Sequence, residues 1–524
     1  MSKLPKRYFV KYRNKYQYFF NFVFKKIINL FFDDNERMFL NENIQNNLNK
    51  SIKIKKKKIV LIQMVPIHYW LLHYHYILKN ERFKDFKIIG IWPHYVFPKP
   101  GILSPLKFLI DYLFNFFEMR KWSRLYNKIG VEVYFELNPF KLRSFFFNSN
   151  TTFFNKYYKK LNVKNISKIK YHNIELGNEI YDTFLRYYNK ATITKKDMKH
   201  VYSILNLASY SFFKLEEFYK KNKNKISYYI TSNISYIQSG LPAKFFISKN
   251  IKVIGGTDTN SYLNYYNKNK YGRNFENYKK IYLKLKNKKK LISAAKKFIF
   301  HSKSKFLKIR SVSLNSETKI IEKKIDILIF LPDFVDSPHA KGWLVFSDYC
   351  EWIEETLDYL LNKNLNIAIK PHPLSRYASL VYERYLEEKY KNKKIYWLSY
   401  KEDNRRLFKK DILFGISPSG SMTYDLAFNK KIVINNGRNP YMSFKYSYTP
   451  KNKKEYFDLI DKGIKNKLKI VKDNKNKVLA SIYMFFLYQN DYFPVLSRKI
   501  KLFEYYDNTS NILKKIIKKK LINI

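Results

Sequence analysis

The sequence of 524 residues contains one cysteine, Cys350. A single thiol excludes an intramolecular disulfide and any metal site built from several cysteines. No apolar stretch approaches the roughly 20 residues that a membrane-spanning helix needs. The basic N-terminal segment also lacks the long apolar run and small-residue cleavage site of a secretory signal. These absences predict a cytoplasmic protein without a spanning helix.

Acidic residues are scarce: 42 Asp and Glu stand against 101 Lys and Arg, which gives a formal net charge of +59. Such an excess suggests nucleic-acid binding. However, the lysines are spread along the whole chain together with Asn, Ile, Tyr and Phe, residues that A- and T-rich codons encode. The chain also has no zinc-ligand spacing and no basic arm free of hydrophobic residues. We therefore predict no nucleic-acid partner and keep this function as the less favoured alternative.

Two segments mix basic and apolar residues in the pattern of helices that lie at a bilayer surface, residues 19–32 and 512–521. Together with the positive charge they favour an anionic inner-membrane surface as a partner. The alternative is that both segments pack on the protein with their lysines in water. The favoured localisation is therefore peripheral, on the inner face of the plasma membrane.

Hydrophobic residues make up 46% of the chain, enough for full-sized cores, and the length requires more than one domain. Strand-like apolar runs alternate with helical patterns twice along the chain, which is typical of βαβ units and parallel sheets. The predicted fold class is α/β, with two Rossmann-like domains whose parallel sheets face a cleft, plus helical N- and C-terminal segments. The predicted units are a basic amphipathic leader (1–58), an N-terminal Rossmann-like acceptor domain with a helical insertion (59–256), a connecting region (257–324), a C-terminal Rossmann-like donor domain (325–452) and C-terminal helices (453–524).

Two short polar blocks follow predicted strands in the last third of the chain. Residues 370–373 (Lys-Pro-His-Pro) follow strand 365–369, and residues 417–421 (Ser-Pro-Ser-Gly-Ser) follow strand 411–416. Loops that leave the carboxyl ends of parallel strands line one crevice, so both blocks are expected to face one ligand. The candidate binding residues are Lys370, His372, Pro373, Ser417, Ser419, Gly420 and Ser421.

The residue types in these blocks suit a phosphate-bearing ligand. Gly420 allows close approach of the backbone, and Ser421 is predicted to cap a helix through residue 428, whose first turn attracts anions. The two prolines hold His372 in one direction, and Lys370 adds a cation. The structural alternatives are an ordinary βα loop for the serine block and a turn-shaping role for the histidine.

These blocks resemble the His-Pro and Ser motifs of bacterial surface-polysaccharide glycosyltransferases with two Rossmann-like domains, the GT-B architecture shared by bacterial sialyltransferases and Kdo-type capsule transferases. The closer resemblance is to capsule or lipopolysaccharide biosynthesis proteins and covers roughly residues 177–440. The segments that carry it are 333–339 (Asp-Phe-Val-Asp-Ser-Pro-His), 346–352 (Phe-Ser-Asp-Tyr-Cys-Glu-Trp), 370–373, the block from Ser417, and 177–186 (Gly-Asn-Glu-Ile-Tyr-Asp-Thr-Phe-Leu-Arg).

The resemblance implies that His372 and Pro373 contact a nucleotide and that the serines of block 417–421 hold the donor phosphate. A glycine separates Ser419 from Ser421 where the best-defined relatives have adjacent serines, so which hydroxyl binds stays open. An acceptor hydroxyl also needs a base in an inverting mechanism. Asp182 is the preferred candidate, with Asp336 and His339 as alternatives. The structural alternative for Asp182 is a helix cap or an ion pair with Arg186.

The predicted function is transfer of a sugar from a nucleotide-activated donor, for which the resemblance suggests a CMP-linked acidic sugar, to a lipid-linked or growing surface polysaccharide (capsule or lipopolysaccharide). A polyol-phosphate transferase of the teichoic-acid type, with the same fold, is the alternative. The spacing of Asp333, Asp336 and His339 resembles a set of metal ligands, but Pro338 favours a turn. We therefore expect no cofactor and no metal.

Overall fold

The computed structural model describes residues 31–33, 36–37, 40, 58–78, 83–93, 104–137, 161–255, 264–266, 275–310, 324–373, 375–391, 393–470 and 474–488. Segment 512–521 and all but the last two residues of segment 19–32 lie outside the described residues, as does most of the leader 1–58. Among the helices in the described ranges, none has the length and apolarity required to cross a bilayer.

The N-terminal domain is built on a six-stranded sheet in the order β3-β2-β1-β6-β7-β8. Five neighbouring strands pair in parallel, and β8 pairs antiparallel with β7. A separate two-stranded hairpin is formed by β4 and β5. The strands are β1 (Lys58–Gln63), β2 (Phe86–Trp92), β3 (Val133–Glu136), β4 (Lys170–Tyr171), β5 (Ile174–Glu175), β6 (Ile226–Thr231), β7 (Lys252–Gly255) and β8 (Asn264–Tyr266).

Helices cover both faces of this sheet, because alternate residues of a strand point to opposite faces. Val60 and Ile62 pack beneath α1 and α2, whereas Ile59 and Leu61 face the cluster formed with α3, α4 and α5. The helices are α1 (His68–Leu78), α2 (Ser104–Lys128), α3 (Gly177–Tyr188), α4 (Met198–Asn222) and α5 (Leu241–Ser248). A π-helical turn, Tyr236–Gly240, precedes α5.

The C-terminal domain has a five-stranded sheet in the order β11-β10-β9-β12-β13, and all of its strands are parallel. The strands are β9 (Ile327–Phe330), β10 (Ile367–Lys370), β11 (Ile395–Trp397), β12 (Phe414–Ile416) and β13 (Val433–Ile434). In both sheets the first strand of the domain lies in the centre, with the second and third on one side and the later strands on the other. This is the order of doubly wound nucleotide-binding folds.

Helices cover this sheet on both faces as well. Ile327 and Ile329 pack with α8 and α12, and Leu328 and Phe330 pack with α6, α11 and α13. The helices are α6 (Tyr278–Lys284), α7 (Lys288–Arg310), α8 (Tyr349–Leu361), α9 (Tyr377–Lys389), α10 (Asn404–Lys409), α11 (Met422–Phe428), α12 (Lys453–Ile464) and α13 (Asn474–Ile482). The predicted fold class, two α/β domains with parallel sheets, is confirmed.

The segment predicted as a connection (257–324) contributes to both domains. Its Asn264–Tyr266 strand extends the N-terminal sheet. Farther along, Phe275, Tyr278 and Ala295 are buried in the core of the C-terminal domain. Buried residues within this polar segment explain the difference, since Tyr266 packs in the core of one domain, and Phe275, Tyr278 and Ala295 pack in the core of the other.

Candidate active site between the two domains

A cavity of about 410 Å³ opens at the carboxyl ends of β9 and β12, between the domains. These strands flank the point where the strand order of the C-terminal sheet reverses, which is where doubly wound sheets bind ligands. One wall comes from the loop after β9, another from residues 417–422, and a third from residues 233–236 of the N-terminal domain. His372 reaches the cavity from the loop after β10.

The structure brings the whole serine block to this cavity. Ser417 and Ser419 are buried. Asn435 stabilises the loop, because its Nδ2 donates to the Ser417 carbonyl at 2.8 Å. Ser421 occupies the N-cap position of α11, but its side chain makes no capping hydrogen bond. The predicted N-cap position is therefore confirmed, without a hydrogen bond from the hydroxyl. Ser421 is among the residues that line the cavity.

Gly420 leaves open space on the cavity side of the loop. A Cβ added there would meet only the Ser417 Oγ, at 3.8 Å. By contrast, a Cβ at Gly90, Gly177 or Gly415 would lie within 3.0 Å of a neighbouring atom. The backbone at Gly420 is therefore accessible to a ligand, as its position in the block suggested.

His372 is held at the cavity by the loop that follows it. Ser375 Oγ lies 3.1 Å from the His372 carbonyl oxygen and 2.6 Å from Glu383 Oε1, within hydrogen-bond distance of both. Burial raises the pKa of Glu383 to about 8, with smaller contributions from the nearby Asp333 and Glu387. Pro373, next in the chain, is half-buried and does not line the cavity.

Lys370 lies elsewhere. It is the last residue of β10, and its buried ammonium donates to the Glu402 carbonyl at 2.6 Å and to the Asn404 side chain. It is not part of the cavity lining. The structure therefore separates Lys370 from His372 and the serines, with which the sequence analysis had grouped it.

Two other cations line the cavity, Lys341 and Arg438. Lys341 Nζ donates to the Ser419 carbonyl at 2.8 Å and to its Oγ at 3.3 Å, so a cation stands against the serine block. Arg438 donates to both carboxylate oxygens of Glu276, at 2.6 and 2.9 Å, and to the Lys341 carbonyl at 2.6 Å. The sequence analysis missed both. Lys341 lies two residues beyond the 333–339 segment, and extending that segment would have found it.

Asp182 and His339 form a buried pair that joins the two domains. His339 Nδ1 lies 2.7 Å from Asp182 Oδ1, and its Nε2 lies 3.0 Å from the Ser347 carbonyl. Burial raises the pKa of Asp182 despite the opposing effect of the imidazole. Burial alone would lower the pKa of His339, but the carboxylates of Asp182 and Asp348 raise it above its ordinary value.

The same interface contains a second polar connection. Tyr181 Oη donates to Asp348 Oδ2 at 2.6 Å, and Thr192 Oγ1 donates to the same oxygen. Asp348 Oδ1 in turn caps α8 by accepting from the Glu351 amide at 2.8 Å. Asp182 and His339 are not among the residues that line the cavity. Asp182 and His339 instead fix the loop after β9, which forms one wall of the cavity.

Asp336 is the candidate base that faces the cavity. Its side chain is 64% exposed and lies 3.6 Å from the Arg376 guanidinium. The neighbouring Asp333 also reaches the lining but is buried, with its carboxylate 2.6 Å from Arg376. The three candidate bases thus divide into one open carboxylate and one buried pair.

Within the described ranges, the carboxylate and imidazole atoms grouped closely enough to hold a metal belong to Asp33, Glu36 and His68. This group lies in the N-terminal domain, where Lys121 already pairs with Glu36 at 2.7 Å. The expected independence of a metal stays a prediction.

No protein-family model matches the chain, and no curated protein matches it either. Among solved structures, it is similar to UDP-GlcNAc 2-epimerase from Neisseria meningitidis bound to UDP-GlcNAc, with 9% identity, a TM-score of 0.23, and 81% of this chain and 97% of that chain covered. It is also similar to HepE from Anabaena in complex with UDP-glucose, with 11% identity, a TM-score of 0.23, and coverage of 89% and 99%.

A third similar structure is the N-terminal domain of trehalose-6-phosphate phosphatase from Candida albicans, with 7% identity, a TM-score of 0.27, and coverage of 91% and 98%. Likenesses this weak carry no argument about activity. What the site does is therefore argued from its own residues.

Proposed function

We propose that this protein is a glycosyltransferase that binds a nucleotide-activated sugar in the cavity between its domains. The observation that carries the proposal is the convergence of the serine block, Gly420, His372 and Lys341 at the reversal point of the C-terminal sheet. Hydroxyl donors, an open backbone and a cation are the groups that bind a phosphate. The N-terminal domain supplies the opposite wall, where an acceptor would lie.

In this reaction the oxygen of an acceptor hydroxyl attacks the anomeric carbon of the donor. The bond from that carbon to the donor phosphate breaks, and the nucleotide leaves with the electron pair. Asp336 takes the proton of the hydroxyl, because among the three candidate bases it is the carboxylate exposed to the cavity. Lys341 and the serine hydroxyls stabilise the charge that develops on the leaving phosphate. Asp182 and His339 position the loop that carries Asp336 and Lys341.

The resemblance of the motifs to capsule and lipopolysaccharide enzymes supports a surface polysaccharide, lipid-linked or growing, as the acceptor, and a CMP-linked acidic sugar as one donor to test. The net charge of +59 supports binding to an anionic membrane surface. Co-sedimentation with anionic liposomes tests this membrane binding by comparing the full chain with one that ends at Ser510. Equal binding by both would remove the C-terminal tail from this proposal.

A thermal-shift screen against CMP, CDP, UDP, GDP and ADP tests the donor site. A nucleotide that binds the folded state raises the apparent Tm. We expect at least one nucleotide to do so in the wild type and to raise the Tm less in Ser421→Ala. Ser203→Ala, a change at a half-buried serine of α4 outside the cavity lining, is the matched control. Product analysis then separates a glycosidic bond from the phosphodiester that a polyol-phosphate transferase would form.

A further inference from the structure

Tyr236 stands on the N-terminal wall of the cavity in a backbone conformation that tyrosine rarely adopts. Its φ is +61°, in the left-handed region. Six of the ten non-glycine residues with positive φ in the described ranges are asparagines, which tolerate this region. Tyr236 also begins the π-helical turn Tyr236–Gly240, an arrangement that often occurs at functional sites.

Helix α3 holds this turn in place. Thr183 Oγ1 accepts from the Ile237 amide at 2.9 Å, and Tyr187 Oη accepts from Gln238 Nε2 at 2.7 Å. At the end of the turn, a Cβ on Gly240 would lie 2.7 Å from Glu179 Cγ, so the turn packs tightly on the helix. Strained residues persist where the surroundings over-determine them, and they cluster at sites of binding.

The same helix also holds the opposite wall. Asp182, next to Thr183, pairs with His339 in the loop that carries Asp336 and Ser337. Across the cavity, the Ser337 side chain is near enough to the Tyr236 hydroxyl to oppose the effect of burial on its pKa. Burial raises the pKa of Tyr236 to about 12, so the phenol keeps its proton at neutral pH and can donate a hydrogen bond.

We propose that Tyr236 is a specificity-determining residue that binds the acceptor, a hydroxyl-bearing sugar, beside Asp336. This inference rests on the proposed function. The phenol hydroxyl hydrogen-bonds to an acceptor oxygen and orients the reacting hydroxyl toward the Asp336 carboxylate, and the ring covers an apolar face of the sugar. The backbone strain is retained because it directs this side chain into the cavity.

Two variants test the inference. Tyr236→Phe removes only the hydroxyl, and Tyr236→Asn introduces a residue suited to positive φ. The assay measures release of nucleotide from the donor class found in the screen, with and without glucose, galactose or N-acetylglucosamine as acceptor. We expect both variants to lose acceptor-stimulated release at least tenfold in kcat/KM. Nucleotide Kd should stay within about threefold of the wild type, because the donor-binding residues lie on the opposite wall. Tyr236→Asn should also keep or raise the Tm.

The inference is overturned if both variants keep acceptor-stimulated release, or if Tyr236→Asn lowers the Tm while Tyr236→Phe stays fully active, which would make the residue structural. A failure of the proposed function looks different. In that case the wild type itself binds no nucleotide, or none of the three sugars stimulates release, and the assignment of Tyr236 falls with it.

Discussion

The two sheets share one strand order but differ at the point where that order reverses. In the N-terminal sheet, Gln63 ends β1 and fills this point with its buried side chain. Gln63 Oε1 accepts from Thr231 Oγ1 at 2.6 Å and from the Ser232 amide at 3.0 Å, and its Nε2 donates to Ser239 Oγ at 2.8 Å. In the C-terminal sheet, the loops after β9 and β12 separate at the same point and leave the cavity.

This difference shows that topology offers a ligand site without requiring one. At the N-terminal reversal point, the Gln63 side-chain amide is engaged by Thr231, Ser232 and Ser239. At the C-terminal reversal point, Ser421 makes no cap hydrogen bond and Gly420 faces open space. We therefore expect substitutions near Gln63 to change stability, and substitutions in block 417–421 to change binding.

The largest effect on stability is expected at Glu383, beneath the His372 loop. Its pKa is raised from 4.5 to about 8. The folded state thus holds a proton that the unfolded state releases, and stability is lost as the pH rises from 4.5 through 8. At about 1.4 kcal/mol per pKa unit, the loss is at most about 5 kcal/mol above pH 8. Glu383→Gln should abolish it in urea unfolding at pH 5 and pH 9. Equal pH dependence in the variant and the wild type would contradict the assignment.

Asp182→Ala should lower the free energy of unfolding by about 3 kcal/mol, because it leaves the buried His339 without its partner. Double-mutant cycles with His339→Ala, measured by chemical denaturation, give the interaction between the two side chains. Asp182→Asn distinguishes positioning from base catalysis. As a positioning residue, Asp182 should tolerate this change with partial activity and altered KM. Complete loss of kcat with unchanged stability would return the role of base to Asp182.

Gln63→Leu should cost about 2–3 kcal/mol of stability, since it strips hydrogen-bond partners from Thr231, Ser232 and Ser239. Nucleotide affinity should stay within about twofold of the wild type in a calorimetric titration. Weaker binding at unchanged stability would mean that the N-terminal reversal point takes part in the donor site.

Ser421→Ala should leave stability within about 0.5 kcal/mol of the wild type, because the hydroxyl caps nothing. We expect donor affinity to fall about tenfold, which corresponds to about 1.4 kcal/mol for the loss of one hydrogen bond to a charged phosphate. An unchanged Kd together with lower stability would assign this hydroxyl to the fold.

Apolar runs bounded by Lys, Pro and Gly identified the strands of the two large sheets apart from β8, because buried parallel strands read as continuous hydrophobic stretches. The predicted strand at 411–416, for instance, contains β12 (Phe414–Ile416). Pattern did not find the strands β4, β5 and β8 or the helix α10. All four are short, so each has too few residues for a recognisable pattern, and β8 depends on the pairing of Tyr266 with Val253.

In the site, the loops that follow β10 and β12 could be located from sequence, because a loop after a parallel strand must emerge at one edge of the sheet. Which side chains turn toward the cavity could not be predicted from the sequence. Lys370 turns to Asn404, and Arg438 arrives from the loop after β13. The pairing of Asp182 with His339 spans 157 positions and depends on the domain arrangement.

A bulky substitution at Gly420 tests most directly whether the cavity between the domains binds the nucleotide. A phenylalanine there would enter open space, with Ser417 Oγ the nearest atom to its Cβ. Isothermal titration calorimetry measures nucleotide affinity in the wild type and in Gly420→Phe. The ligand is the nucleotide that gives the largest rise in Tm in the screen. We expect an unfolding midpoint within a few degrees of the wild type and at least a hundredfold loss of nucleotide affinity. Full affinity in a folded Gly420→Phe variant would place the nucleotide outside this cavity.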